Sequence, residues 1–184
     1  MEPLTTDALT VRIAGPDSVD LDELAAVAAD TFPLACPASV TPANVAAFIE
    51  ANLSAARFAE YLDDSERVVL VAEHADRIAG YAMLVRGVTD DPDVGRAVGV
   101  GPAVELSKIY VLEGHHGTAV STALITAALA AAEKLGAACV WLGVNRQNQR
   151  AQRFYTKHGF IVNGARTFQV GDQREDDYVM VRRL

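Results

Sequence analysis

The 184-residue chain is short of several features that would assign a class directly. It has two cysteines, Cys36 and Cys139, far apart in sequence. A disulfide scaffold is set aside on that count, and two free thiols are expected. No apolar run approaches the ~20 residues of a membrane helix, and the opening Met1-Glu2-Pro3 is unlike a secretory signal. A soluble cytoplasmic protein without a membrane partner is the expectation. Basic residues are the minority: 16 Lys and Arg against 24 Asp and Glu leave a formal net charge of −8. That balance disfavours a nucleic-acid partner and mildly favours a cationic one. Neither a Gly-x-Gly-x-x-Gly nor a Gly-Lys-Ser/Thr loop occurs, which argues against the common nucleotide-binding α/β folds. The four histidines lack ligand spacing: His115 and His116 are adjacent and diverge, and His74 and His158 stand alone. No metal is expected.

What remains is ordinary globular material. Apolar residues make up 51% and charged residues 22%, and the length suits one domain with its own core. No internal repeat, low-complexity tract or linker interrupts it. Residues 8–14 alternate as a first strand, ended by Gly15-Pro16-Asp17. Asp20 and Glu23 form a capping box for a helix that Phe32-Pro33 should stop. Thr41-Pro42 starts a second helix, whose apolar face (Val45, Phe48, Ile49, Leu53) extends through Phe58 and Leu62. Residues 67–73 and 78–85 read as an antiparallel hairpin. Residues 87–103, rich in Gly, Pro and charge, read as a long loop, either bordering a site or disordered.

From Val104 the order is strand, helix, strand, helix, strand, strand. It predicts a mixed α/β fold with a partly parallel centre. A strand (residues 105–112) feeds a tight loop and then a helix (120–135), which Gly136 ends. Such a helix start gathers unpaired N–H groups under the positive end of the helix dipole. Small residues between His115 and Thr122 would let a phosphate approach them. An ordinary strand-to-helix turn capped by Thr118 or Ser121 fits the same residues.

This strand, loop and helix precede Val-Trp-Leu-Gly-Val-Asn145. Then comes Asn148-Gln-Arg-Ala151-Gln-Arg-Phe154-Tyr155-Thr-Lys-His-Gly159-Phe160. Together they resemble the GNAT superfamily of acyl-CoA-dependent N-acyltransferases. The likeness continues through Gly164 to Phe168, Gly171-Asp172 and Asp177-Tyr-Val-Met180, the family's closing hairpin. It implies one GNAT domain. Its mostly antiparallel sheet of six or seven strands would have a splayed parallel pair at the centre and about four flanking helices. It implies acetyl-CoA as co-substrate and a small-molecule or peptide amine as acceptor. The pyrophosphate loop would be His116, Gly117, Thr118, Ala119, Val120, Ser121 and Thr122. His116 stands at the family's Arg/Gln position, and Ala119 and Ser121 stand where it has glycines. Both can take helical dihedrals and keep their N–H groups. Ile109, Tyr110 and Val111 would meet the acyl carbonyl and pantetheine amides, with Asn148, Ala151 and Phe154 beside the arm. The segment from Phe32 to Val40, with Leu34, Cys36 and Pro37, would cover the acceptor. The hairpin Phe168-x-Val-Gly171-Asp172 resembles the spermidine/spermine acetyltransferase branch, and an exposed hairpin strand could pair two copies into a homodimer.

Acyl transfer to an amine needs a neutral nucleophile, a polarised carbonyl and a proton for the leaving thiolate. Tyr155, at the family's tyrosine position, is the candidate acid; it also reads as a packed aromatic beside Phe154. Glu105 is the candidate base, directly or through water, or else a carboxylate paired with Lys108. Asn148 reads equally as a helix cap, and Lys157 as a contact to a CoA phosphate or a solvated lysine. Cys36 has no partner pattern for a nucleophile and reads as a small buried thiol. Ala119 and Ser121 keep a second reading open: a non-catalytic GNAT domain that binds acyl-CoA as a sensing or interaction module.

Overall fold

A computed structural model describes residues 8–115 and 119–184. The elements are β1 (Thr10–Ile13), α1 (Leu21–Ala35), α2 (Pro42–Asn52), α3 (Ala55–Asp63), β2 (Arg67–His74), β3 (Arg77–Arg86) and α4 (Pro92–Val98). Then follow β4 (Ala103–Val111), α5 (Ala119–Lys134), β5 (Cys139–Asn145), α6 (Gln149–Lys157), β6 (Ile161–Val170) and β7 (Gln173–Arg183). The strands form one sheet in the order β1-β2-β3-β4-β5-β7-β6. Every neighbouring pair is antiparallel except β4 and β5.

Local chemistry explains most of the boundaries. Asp20 accepts from the Glu23 N–H at the start of α1, and Thr41 accepts from Asn44 N–H at α2, where Pro42 takes the first turn. β2 and β3 turn through Ala75 and Asp76, both in the left-handed region. One face of the sheet packs on α5, whose Leu124, Ile125, Ala128 and Ala132 sit among residues of β2, β3 and β4. The other face carries α1 to α3 over β2 and β3, and α4 over β6 and β7.

Three expectations change. α1 does not stop at Pro33 but runs to Ala35. Phe32, 5% exposed and stacked on Phe48 at 4.4 Å, anchors the turn that the missing proline N–H weakens. The second helix is two helices, because Ser54 caps a fresh start by accepting from Arg57 N–H. Residues 87–103 are not one long loop; they contain α4. Asp91 caps it, Pro92 takes its first turn and Gly99, in the left-handed region, closes it. Val94, Ala97 and Val98 pack with Trp141, Val179 and Val181. These last two changes raise the described helices to six.

Gly80 allows β3 to lie close against both β4 and α5. A Cβ there would lie 2.7 Å from Tyr110 O and 3.1 Å from Leu124 Cδ1. Gly80→Ala is expected to lower stability by about 1–3 kcal/mol through overpacking. At roughly 2–4 °C per kcal/mol for a domain of this size, a thermal melt should show the drop clearly. An unchanged Tm would contradict this packing.

Candidate active site

β4 and β5 pair at only three positions: Ala103 with Cys139, Val104 with Val140, and Glu105 with Trp141. Beyond Glu105, β4 runs on to Val111 held by β3 alone, and β5 runs on to Asn145 held by β7 alone. The two strands part. A bulge lies at the parting, since Met83 faces Lys108 while Leu84 faces Leu106, leaving Ser107 as the extra residue. Val104 and Leu106 before it, and Ile109 and Val111 after it, pack toward α5. Glu105, Lys108 and Tyr110 are thereby brought to the opposite side. The broken alternation at Ser107-Lys108 in the sequence is this bulge.

A cavity of about 680 Å³ occupies the parting and continues beneath α1 and α2. From β4 it is lined by Glu105, Ile109, Tyr110 and Val111, and from the start of α5 by Ser121 and Thr122. Asn148, Ala151, Phe154 and Tyr155 line it from α6. Two expected contacts are not in the lining. Ala119 is exposed at the start of α5, and the Val120 side chain is 3% exposed in the core. The expected loop residues His116, Gly117 and Thr118 lie outside the described residues. Asn148 does cap α6, its Oδ1 accepting from Ala151 N–H at 3.1 Å, and lines the cavity as well. Burial pushes the Tyr155 and Tyr110 phenols well above their ordinary values, so both stay protonated at neutral pH.

The far end is roofed by aromatics. Phe32 stacks on Phe48, Phe48 meets Phe168 at 5.7 Å, and Phe32 meets Tyr110 edge-on at 6.4 Å. Leu34, Cys36 and Pro37 line this end, as expected of the covering segment, whereas Val40 is core. The tip of the β6–β7 hairpin is strapped over it. Asn44 Nδ2 donates to Asp172 Oδ1 (2.6 Å) and Gln173 Oε1 (2.7 Å), and Asp172 N–H donates back to Asn44. Cys36 and Cys139 are free. Burial pushes the Cys36 thiol up to about 11, with Glu175 adding to the effect, so it is no thiolate at neutral pH.

Charge organises the floor of this end. Arg166 reaches from β6 across β7 and β5, lying over Trp141 (5.6 Å) and Phe168 (5.4 Å) in the space that Gly143 leaves free of a side chain. Its Nε donates to Asp177 Oδ2 at 3.3 Å, and its Nη1 stands 3.9 Å from Glu105 Oε1. Glu105 therefore has Arg166, not Lys108, as its ion-pair partner. Desolvation nevertheless keeps both the Glu105 and Asp177 carboxyls above their ordinary range, with Arg166 opposing it. On the other flank, burial brings the Lys108 ammonium down to about 8, with Glu105 opposing and Arg67 reinforcing. Arg67, Lys108, Arg166 and Asp177 are the site groups that sequence reasoning did not single out. The signals were there in part: the lysine inside the broken β4 pattern, and an arginine and an aspartate within the hairpin motif.

The geometry can now be set beside known proteins. Residues 31–160 match the model of the acetyltransferase (GNAT) family. Uncharacterised N-acetyltransferases of Mycobacterium tuberculosis and Mycobacterium bovis are 59% identical over 165 residues, covering 90% of this chain and 98% of theirs. The fold is similar to a PaiA N-acetyltransferase from Thermoplasma acidophilum, solved in complex with coenzyme A (TM-score 0.75, 18% identity, covering 96% of this chain and 99% of that one). It is also similar to a GCN5-related N-acetyltransferase from Rhodopseudomonas palustris (TM-score 0.70, 20% identity, covering 95% of each). With the family model and the close relatives spanning most of the chain, the protein belongs to the GNAT acetyltransferase family.

Proposed function

We propose that this protein transfers the acetyl group of acetyl-CoA to a primary amine by direct attack. The observation that carries the reading is the single cavity that runs from the start of α5, through the parting of β4 and β5, to the roofed end. An extended, amide-bearing arm fits between strands whose inner edges do not pair with each other, and small residues at Ser121 and Thr122 leave room beside a helix start. Acetyl-CoA supplies the activated thioester. Glu105, at the last paired position, takes a proton from the attacking amine, directly or through water, and its raised pKa suits a base. The C–N bond forms as the C–S bond breaks. The backbone at Ile109 to Val111 holds the acyl carbonyl, and Tyr155 gives its phenolic proton to the departing sulfur. Arg166 holds Glu105 in place from the other side.

Within the family, a polyamine acceptor rests on the hairpin motif and the net charge. The cavity gives it mixed support: Glu105 and Asp177 both already face Arg166, while Glu175 also lines the cavity and accepts from Asn145.

Saturating acetyl-CoA, at ~100 times its dissociation constant, should add roughly 2.7 kcal/mol of stability. For a domain of this size that is about 5–10 °C in Tm. No shift at millimolar acetyl-CoA would overturn the reading; a shift without turnover of any amine would move it to the non-catalytic acyl-CoA-binding domain that Ala119 and Ser121 kept open. Tyr155→Phe should lower kcat by roughly 10²-fold, the scale of general acid catalysis, while the acetyl-CoA shift persists. Wild-type turnover in that variant would remove Tyr155 from the mechanism. Arg166→Met strands two buried carboxylates and should cost about 3–5 kcal/mol near pH 8. Both carboxyls would then titrate still higher in the folded state. The unfolded chain holds fewer protons than the folded one in that window, so lowering the pH restores stability. The deficit should shrink between pH 8 and pH 5; a constant deficit would contradict the charge network.

A further inference from the structure

The floor of the roofed end has two flanks of opposite character. On the hairpin side, Arg166 is matched by Glu105 and Asp177. On the β2 side, Lys108 and Arg67 both line the cavity. They are neighbours in the sheet face, since Lys108 lies opposite Met83, and the Arg67 Nη1 reaches Met83 Sδ at 4.0 Å. Arg67 uses Nε on Asp64 at 3.0 Å, and Asp64 is 40% exposed at the rim. Tyr61 donates its hydroxyl to Asn52 O and lends its ring to Arg67 at 4.8 Å. No carboxylate lies within ion-pair distance of the Lys108 Nζ among the described residues. The flank thus offers three ammonium donors and the outer edge of a guanidinium facing into the cavity; Glu105 is close enough to act on both cations through space but is ion-paired to Arg166, and it reaches neither of them at ion-pair distance.

We infer that the Lys108–Arg67 flank receives a carboxylate of the acceptor, so that the preferred substrate is an amino carboxylate rather than a simple amine or polyamine. The inference rests on the acetyltransferase reading for the amine and adds the group that positions it. A carboxylate seated there lies beside Glu105 across the bulge at Ser107, so the amine of a compact amino acid can reach the Glu105 side of the floor. The Lys108 ammonium, brought down to about 8 by burial, stays mostly protonated at neutral pH, and an arriving carboxylate favours that charged form further, which makes the pair charge-assisted. Arg67 adds a donor edge whose planar shape suits two oxygens. A polyamine would instead bring a second cation against two that are already there.

The test separates binding from turnover. With free CoA at saturation, the melting temperature is measured with N-acetyl derivatives of glycine, leucine and phenylalanine, each against its carboxamide. The carboxylate member of at least one pair should raise Tm where its carboxamide does not. Turnover is then compared for the free amino acids, their amides, their decarboxylated amines, 2-aminoethylphosphonate and spermidine. An amino carboxylate should exceed its own amide in kcat/KM by about tenfold or more, the ratio of a charge-assisted pair. Lys108→Met should abolish that ratio through KM, and Lys108→Arg should retain it. The acetyl-CoA shift reports whether each variant is folded, and the wild-type panel decides the matter if one is not. Preference for the amide, for spermidine or for the phosphonate overturns the assignment, as does an undiminished ratio in Lys108→Met. A carboxylate-specific Tm rise without turnover of any amine would leave the flank standing and overturn the catalytic reading instead. An acetyl-CoA shift with carboxylate and carboxamide indistinguishable would do the reverse.

Discussion

Everything at the site depends on where β4 and β5 stop pairing. A parallel pair at the centre of a sheet normally extends its ladder along the full strands, because unpaired backbone groups away from water are costly. Here the ladder ends at Glu105 and Trp141 while both strands continue, each held rigid by its outer neighbour. The parting is stable because β3 and β7 fix the outer edges and the bulge at Ser107 bends β4 away. The resulting gap is a slot with backbone on both walls, closed beneath by the α5 layer and above by α1 and α2. An extended ligand with its own amides is the natural complement of such a slot.

Across the end of that slot, Arg166 does with a side chain what the ladder no longer does with backbone. It starts on β6, crosses β7 and β5, and faces a carboxylate on β4, spanning the two half-sheets at the level where they separate. Gly143 is the enabling residue, since any side chain there would occupy the guanidinium's space. The arrangement places charged groups where water is scarce, and the raised carboxyls and the lowered lysine record the cost. Such concentration of desolvated charge is poor for stability. It is what a site needs if a base must be strong and an ammonium must be ready to take a partner.

The central half of the fold was legible because its signals are positional. Strand, helix start, helix and the Asn148 to Phe160 segment follow one another without interruption, and local caps such as Asp20 and Thr41 act where the sequence places them. The misses have physical causes. Residues 87–103 read as a loop because Gly, Pro and charge are abundant there; by position, Asp91-Pro92 is a helix start and Gly99 a helix stop. Pro33 read as a terminator because propensity is local, whereas Phe32 is held by stacking on a residue of the next helix. Arg166 and Lys108 escaped because nothing in one dimension shows that a β6 arginine lies over Gly143, or that a bulge turns a lysine toward the cavity. The legible part was set by neighbours in sequence, and the illegible part by neighbours across the sheet.

The net charge illustrates the same division of scale. A total of −8 describes the outer surface, and its field on an approaching molecule fades within a Debye length of about 8–10 Å at physiological salt. It can influence which molecules arrive. Recognition happens inside a cavity of about 680 Å³, where screening is weak and each group counts individually. There the carboxylates of Glu105 and Asp177 are matched by Arg166, Glu175 lines the hairpin side, and the β2 flank carries Lys108 and Arg67. A global acidic balance and a locally cationic acceptor flank are therefore compatible, and the local one sets what the site holds.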